Sequence, residues 1–178
     1  MPSANWRLFE RYGVELEYMI VGRRDLLPAP IADRVLRTPE GAIGDVENGD
    51  VCWSNELVSH VIELKNSEPT TGLAGWAEKF QRDVHTINVR LAEHDCCLLP
   101  TAMHPLMRPE KHSELWQHEY SEVYEAFNRI FDCRGHGWSN LQSAHLNLSF
   151  AGDEDFAKLH AAVRILMPIL PALTASSP

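Results

Sequence analysis

The spacing of hydrophobic positions changes several times along the chain, and each change marks an element. Over residues 13–21, Val14, Leu16, Tyr18 and Ile20 fall on one face of a strand, with Glu15, Glu17, Met19 and Val21 on the other. Residues 26–30 form a proline-punctuated loop, 31–36 suit a short helix, and the Gly-rich, acidic stretch 38–50 reads as a turn region. β-branched residues crowd 57–65 and predict a second strand. Thr70-Thr71-Gly72 opens a long helix in which Leu73, Trp76, Ala77, Phe80, Val84, Ile87 and Leu91 recur every three or four positions, ending near Glu93 and His94. A strand over 96–101 follows, then a loop marked by Pro105 and Pro109. A helix over 114–131 carries Leu115, Val123, Phe127 and Ile130. After the Gly-rich loop 133–140, residues 141–150 alternate as a strand, with Leu146, Leu148 and Phe150 toward a core. Asp153 caps a last helix carrying Phe156, Leu159, Ala162, Val163 and Leu166. The order is β-β-α-β-α-β-α, a mixed α and β chain without internal repeats.

Four strands make a small sheet for three amphipathic helices. The chain also stops at Pro178 without a polar tail, so it is expected to be part of a longer protein. With 44% hydrophobic and 23% charged residues, the chain can build a core. It has 25 acidic against 16 basic residues and a net charge of −9, which demotes a duplex nucleic-acid partner. No apolar run approaches the ~20 residues that span a bilayer, and the N-terminal residues lack the apolar stretch of a signal peptide. A cytoplasmic protein with no membrane partner is the expectation. Cys52, Cys96, Cys97 and Cys133 include no CxxC pair, so they read as buried free thiols and not as a zinc knuckle.

The candidate chemistry is carboxylate-rich. Glu15 and Glu17 share a strand face about 7 Å apart, where they repel unless a cation lies between them. A hard divalent cation suits them, although from the pair alone a solvated strand face is the commoner reading. Glu56 and Glu63 lie seven residues apart. In one regular strand they would face opposite sides, so either a bulge intervenes or Glu56 acts from the strand entrance. His60 reads as a packing histidine. His145, Asn147 and Ser149 form a polar stripe that suits either a ligand cleft or water. His104 sits where a strand gives way to a loop. Candidate cations near the acids are Lys65 and Arg134; the Gly-rich loop around Arg134 is not a P-loop. GxSxG and HExxH are absent.

In order, these segments resemble the glutamate–cysteine ligase family, including the bacterial carboxylate–amine ligases. Gly13-Val14-Glu15-Leu16-Glu17 resembles its G-[IV]-E-x-E opening, and Glu56 to Leu64 its second acidic strand. Ala102-Met103-His104-Pro105 resembles its G-T/M-H-P turn, without the Gly. Ala144-His145-Leu146-Asn147 resembles its H-x-[NH] strand, and residues 170–178 the segment leading to the second half of its catalytic domain. The resemblance implies an α+β, glutamine-synthetase-like catalytic domain: an antiparallel curved sheet with helices on its outer face. Residues 1–178 would be the N-terminal part of that single domain, and the family's site is completed by residues from its second half. It also implies a reaction in which ATP phosphorylates the glutamate γ-carboxylate and the amine of cysteine displaces phosphate to form an amide. ATP and Mg²⁺ are the implied cofactors, with amino acids and ATP as small-molecule partners and self-association left open. By resemblance, Glu15, Glu17, Glu56, Glu63 and His145 belong to the metal and phosphate shell. Glu15, Glu63 and His145 carry the chemistry, Glu17, Asn147 and Arg134 contact the nucleotide, and His104 lies near the substrate. A metal-dependent hydrolase and a non-catalytic piece of the ligase fold are the rival expectations.

Overall fold

The structure is a computed structural model that describes residues 6–38 and 40–175. The expected first strand forms as β1 (Tyr12–Gly22) and is the spine of the molecule. One edge of β1 pairs antiparallel with β4 (Val61–Asn66), from Glu15↔Lys65 to Met19↔Val61. Its other edge is shared. The first half pairs with β6 (Ala144–Leu148) and the second with β5 (Cys96–Leu99), both antiparallel. β3 (Val51–Asn55) pairs with β4 and β2 (Val46–Asn48) with β3, giving the order β2-β3-β4-β1-β5 with β6 beside β1.

Two side-chain amides patch the ladder where β1 changes neighbours. Gln142 Oε1 accepts from Met19 N–H at 3.1 Å, between the ends of β6 and β5, and Asn66 Oδ1 accepts from Val14 N–H at 2.6 Å, where β4 runs out. Without them these backbone donors would be left unmatched inside the sheet.

Alternation sorts the two faces. Ile20, Ile62, Leu64 and Trp53 enter the main core, joined by the half-buried Val14, Leu16 and Tyr18. The long helix α2 (Trp76–Ala92) packs on that face through Trp76, Phe80, Ile87 and Leu91, as its spacing predicts. Asp83 is the polar exception on α2. Fully buried, it accepts hydrogen bonds from Trp53 Nε1 at 2.8 Å and Asn48 Nδ2 at 2.6 Å, tying the helix to β3 and β2. The four thiols are free, and Cys52, Cys96 and Cys133 are buried. No helix among the described residues is long and apolar enough to cross a membrane.

Several boundaries differ from expectation. The predicted strand over 57–65 is the second arm of a hairpin whose first arm is β3, and the expected turn region 38–50 contributes β2. Thr70 does not open the helix; its N–H and C=O pair with those of Tyr12 at 2.9 and 2.8 Å, and α2 starts six residues later, after Gly75 in a left-handed conformation. The expected helix over 114–131 is only α4 (Ser121–Phe131), because residues 114–116 are drawn out as a strand-like segment against the 56–60 turn. There Ser59 N–H donates to Glu114 O at 2.8 Å and Trp116 N–H to Leu57 O at 3.0 Å. Asp153 does not cap the last long helix, α6 (Gly152–Leu166). Asp155 reaches back instead, accepting from Ala151 N–H at 3.3 Å and Leu8 N–H at 3.2 Å. Short helices α1 (Ala32–Val35), α3 (Pro109–His112), α5 (His136–Ser139) and α7 (Leu170–Thr174) complete the chain. Residues 1–5 of the expected leaderless N-terminus and 176–178 of the closing segment lie outside the described residues.

Candidate active site

The sheet face opposite α2 carries two rows of side chains set by strand register. Ser54, Glu63 and Glu17 stand opposite one another across β3, β4 and β1; Cys52, Lys65, Glu15 and His145 form the next row across β3, β4, β1 and β6. Glu56 joins them from the turn after β3, which resolves its seven-residue separation from Glu63: it acts from the strand entrance and needs no bulge. Carboxylate oxygens of Glu17, Glu56 and Glu63 lie within 4.8 Å of one another, as do ligand atoms of Glu15, Glu63 and His145. Glu63 belongs to both groups.

Like charges directly opposite on a sheet destabilise it, and Glu17 faces Glu63 in register. Lys65 offsets part of this. Its Nζ donates to Glu63 Oε1 at 3.0 Å and to Ser54 Oγ at 2.9 Å, and Ser54 donates to the same Glu63 oxygen at 3.0 Å. Burial works against the lysine charge, but Glu63 outweighs it and raises the Lys65 pKa. One lysine does not neutralise three acids. Burial, reinforced by the charges of Glu17 and Glu63, pushes Glu56 up to about 7. Burial likewise raises Glu17, against the hydrogen bond its carboxylate accepts from Ser143 N–H at 2.9 Å. A divalent cation with oxygen-ligand preference would relieve both groups.

The second row is held by hydrogen bonds. His145 Nδ1 bonds Glu15 Oε2 at 2.7 Å, and Asn147 Nδ2 donates to Glu15 Oε1 at 2.7 Å. Burial disfavours the His145 imidazolium, but the Glu15 bond and the charges of Glu17, Glu15 and Glu63 outweigh it and raise its pKa. Gly13 stands opposite Asn147. A Cβ there would lie 3.1 Å from both Cβ and Nδ2 of Asn147, so glycine is what lets the amide sit against Glu15.

Two cavities flank the rows. One, of about 380 Å³, is lined by Glu15, Lys65, Arg11, Tyr12 and Asn147 among others, with cations at its wall. The other, of about 310 Å³, has Glu17 and Glu56 at one side and Tyr124, Phe127 and Trp138 at the other. Tyr124 Oη accepts from Asn55 Nδ2 at 2.9 Å, and burial followed by the Glu56 charge raises its pKa. Sequence reasoning missed Ser54, Tyr124 and Ser143. Ser54 could have been found from the register of a hairpin, Ser143 from its place two positions before His145; α4 gave no signal for Tyr124.

The structure therefore brings Glu15, Glu17, Glu56, Glu63, His145 and Asn147 together. It places two other candidates elsewhere. His104 is buried with both ring nitrogens engaged: Nδ1 accepts from Leu106 N–H at 3.0 Å and Nε2 bonds Leu26 O. Arg134 is exposed in the loop before α5 and lines neither cavity. His60 is a fully buried packing residue whose Nε2 bonds Ser139 O at 2.8 Å; its Nδ1 has no partner among the described residues.

The fold is thus an antiparallel sheet with α2 packed on one face and, on the other, two groups of possible ligand atoms that share Glu63. The family-level match is specific: residues 11–178 match the model of glutamate-cysteine ligase family 2, and the chain belongs to that family. It is 34% identical over 167 residues to an uncharacterized protein of Archaeoglobus fulgidus, covering 93% of this chain and 45% of the relative. The chain thus spans about half the length of the curated relative it matches. Among solved structures, a glutamate–cysteine ligase from Francisella tularensis in complex with AMP aligns with a TM-score of 0.49 at 13% identity, over 87% of this chain and 29% of that one.

Proposed function

We propose that this chain forms the metal- and nucleotide-binding floor of an ATP-dependent ligase that joins the glutamate γ-carboxylate to the amine of cysteine through an acyl phosphate. The observation that carries the reading is the pair of triads sharing Glu63, in a chain of the glutamate-cysteine ligase family. Glu17, Glu56 and Glu63 would hold one Mg²⁺, and Glu15, Glu63 and His145 a second. Mg²⁺, when bound, neutralises charge on phosphate oxygens during phosphoryl transfer. Asn147 fixes the Glu15 carboxylate, Ser143 N–H fixes that of Glu17, and Ser54 with Lys65 fixes that of Glu63. The cavity walled by Lys65 and Arg11 suits the polyphosphate, because cations there meet an anion beside the metal floor.

The test is calorimetric titration with Mn²⁺ or Mg²⁺. Two ions per chain are expected. Glu63→Gln should weaken both, whereas Glu56→Gln and His145→Ala should each weaken one. Absence of divalent binding at millimolar ion, or binding indifferent to Glu63→Gln, would sink the assignment. ADP release that requires both glutamate and an amine acceptor separates a ligase from a hydrolase.

A further inference from the structure

The chain reaches β1 through Ser143, and the way it arrives decides where one hydrogen-bond donor points. Glu17 N–H donates to Ser143 O at 2.9 Å. A regular antiparallel pair would return the bond from Ser143 N–H to Glu17 O. Here that N–H goes to the Glu17 carboxylate instead, reaching Oε2 at 2.9 Å. Just before this point the backbone is drawn onto the turn after β5. Gln142 N–H donates to Ala102 O at 2.9 Å, and Met103 and Leu141 form an isolated antiparallel bridge. The Gln142 side chain serves Met19 N–H, as a further strand residue would.

Asn140 locks the segment there. Its buried amide pairs with both backbone groups of His104, as a strand would: Oδ1 accepts from His104 N–H at 2.9 Å, and Nδ2 donates to His104 O at 3.0 Å. The first bond fixes which end of the amide is oxygen, so the other N–H of Nδ2 donates to His136 Nδ1, 3.0 Å away. His104 is itself held by both ring nitrogens, which makes the anchor stiff. Asn140 lines neither cavity beside the acids, whereas its neighbours Trp138, Leu141 and Ser143 all line the cavity at Glu17 and Glu56. We propose that Asn140 is a positioning residue for the Glu17 side of the acid floor. By holding residues 140–142 on the 101–104 turn, it keeps Ser143 N–H out of the β1 ladder and on the Glu17 carboxylate, which fixes the direction from which that carboxylate meets an ion. The role rests on the reading of the floor as a divalent-ion site.

Two measurements test this, one with metal and one without. In calorimetric titration with Mn²⁺, Asn140→Ala should weaken one ion about tenfold, as loss of an orienting partner does, and leave the other unchanged. The effect should vanish in a Glu56→Gln background and persist in a His145→Ala background, which assigns it to the group of Glu17, Glu56 and Glu63. Asp83→Ala, a buried change on α2 that loosens the fold elsewhere, should leave both ions unaffected. The metal-free measurement is the NMR coupling across the hydrogen bond from Ser143 N to the Glu17 carboxylate carbon, expected in the wild type and lost in Asn140→Ala. His136→Ala, an exposed change that removes one partner of Asn140, should weaken the same ion about threefold, and stands in if Asn140→Ala fails to fold. A wild-type chain that binds no ion would sink the reading of the floor, while the coupling and its loss still decide whether Asn140 sets Ser143 on Glu17. Absence of the coupling from the wild type, its retention in Asn140→Ala, or ion binding that either variant leaves unchanged or weakens equally at both sites would overturn the proposal.

Discussion

Glu56 stores the acid floor's electrostatic stress. Its ordinary value is 4.5, and the folded environment moves it to about 7. Below pH 4.5 folded and unfolded chains are both protonated. Between pH 4.5 and 7 the unfolded chain ionises first, so stability falls as pH rises, by about 3 kcal/mol in all. His145, with its raised pKa, loses its contribution only above 6.5, so a decline between pH 5 and 6.5 belongs to the carboxylates. The metal-free melting temperature should therefore drop across that window, and Glu56→Gln should flatten the drop. Mg²⁺ should raise the melting temperature more at pH 7.5 than at pH 5.5. A melting temperature independent of pH would show that Glu56 is not under this stress. Gly13 is the second telling residue. Gly13→Ala should push Asn147 off Glu15 and lower divalent affinity roughly tenfold without unfolding the chain, as loss of an orienting partner does; calorimetry and circular dichroism on the same sample check both halves.

At the scale of elements, α2 and the β3–β4 hairpin do the positioning. Phe80 is buried in the core between α2 and the sheet, and Phe80→Ala should cost about 3–5 kcal/mol in urea unfolding. A loss under about 1 kcal/mol would mean that α2 is peripheral. Asp83 joins the same two elements by hydrogen bonds, and Asp83→Ala would leave the buried Trp53 Nε1 unpaired, at about 1–3 kcal/mol. The periodicity of α2 made it legible, because a helix with one buried face repeats its apolar residues. The hairpin was not, because Glu47, Gly49 and Asp50 put turn residues in and beside β2, while Val51–Asn55 is a short run that pairing with β4 makes a strand. The segment 114–116 failed for the same reason: Leu115 and Trp116 fit a helical spacing, but the backbone groups of the 56–60 turn offered them a strand-like ladder.

At the scale of the molecule, the floor is fully furnished with acids, while its cations are few: Lys65 and Arg11 stand at one cavity wall. Stabilising a transferring phosphoryl group requires charge from several sides. The 178-residue chain alone should bind divalent ions yet release ADP no faster than its Glu15→Gln variant, in the presence of glutamate, cysteine, ATP and Mg²⁺. Turnover by the chain alone, abolished by Glu15→Gln, would show that Lys65 and Arg11 suffice as the cations of the site.

The amino-acid sequence by itself determined which acidic and polar side chains of one strand share a face. Period-two alternation places Glu15 with Glu17 and His145 with Asn147 whatever their neighbours, and the apolar repeat of residues 76–91 requires a sheet beneath it. Tertiary structure decided how those residues meet. Only strand register sets Glu17 against Glu63 and Glu15 against His145, and only the turn after β3 swings Glu56 over the row. Register depends on pairing between segments distant in the chain, which no local pattern encodes. The same holds for His104, whose place at a strand end suggested a ligand, while the fold gave its ring nitrogens to the backbone at Leu26 and Leu106.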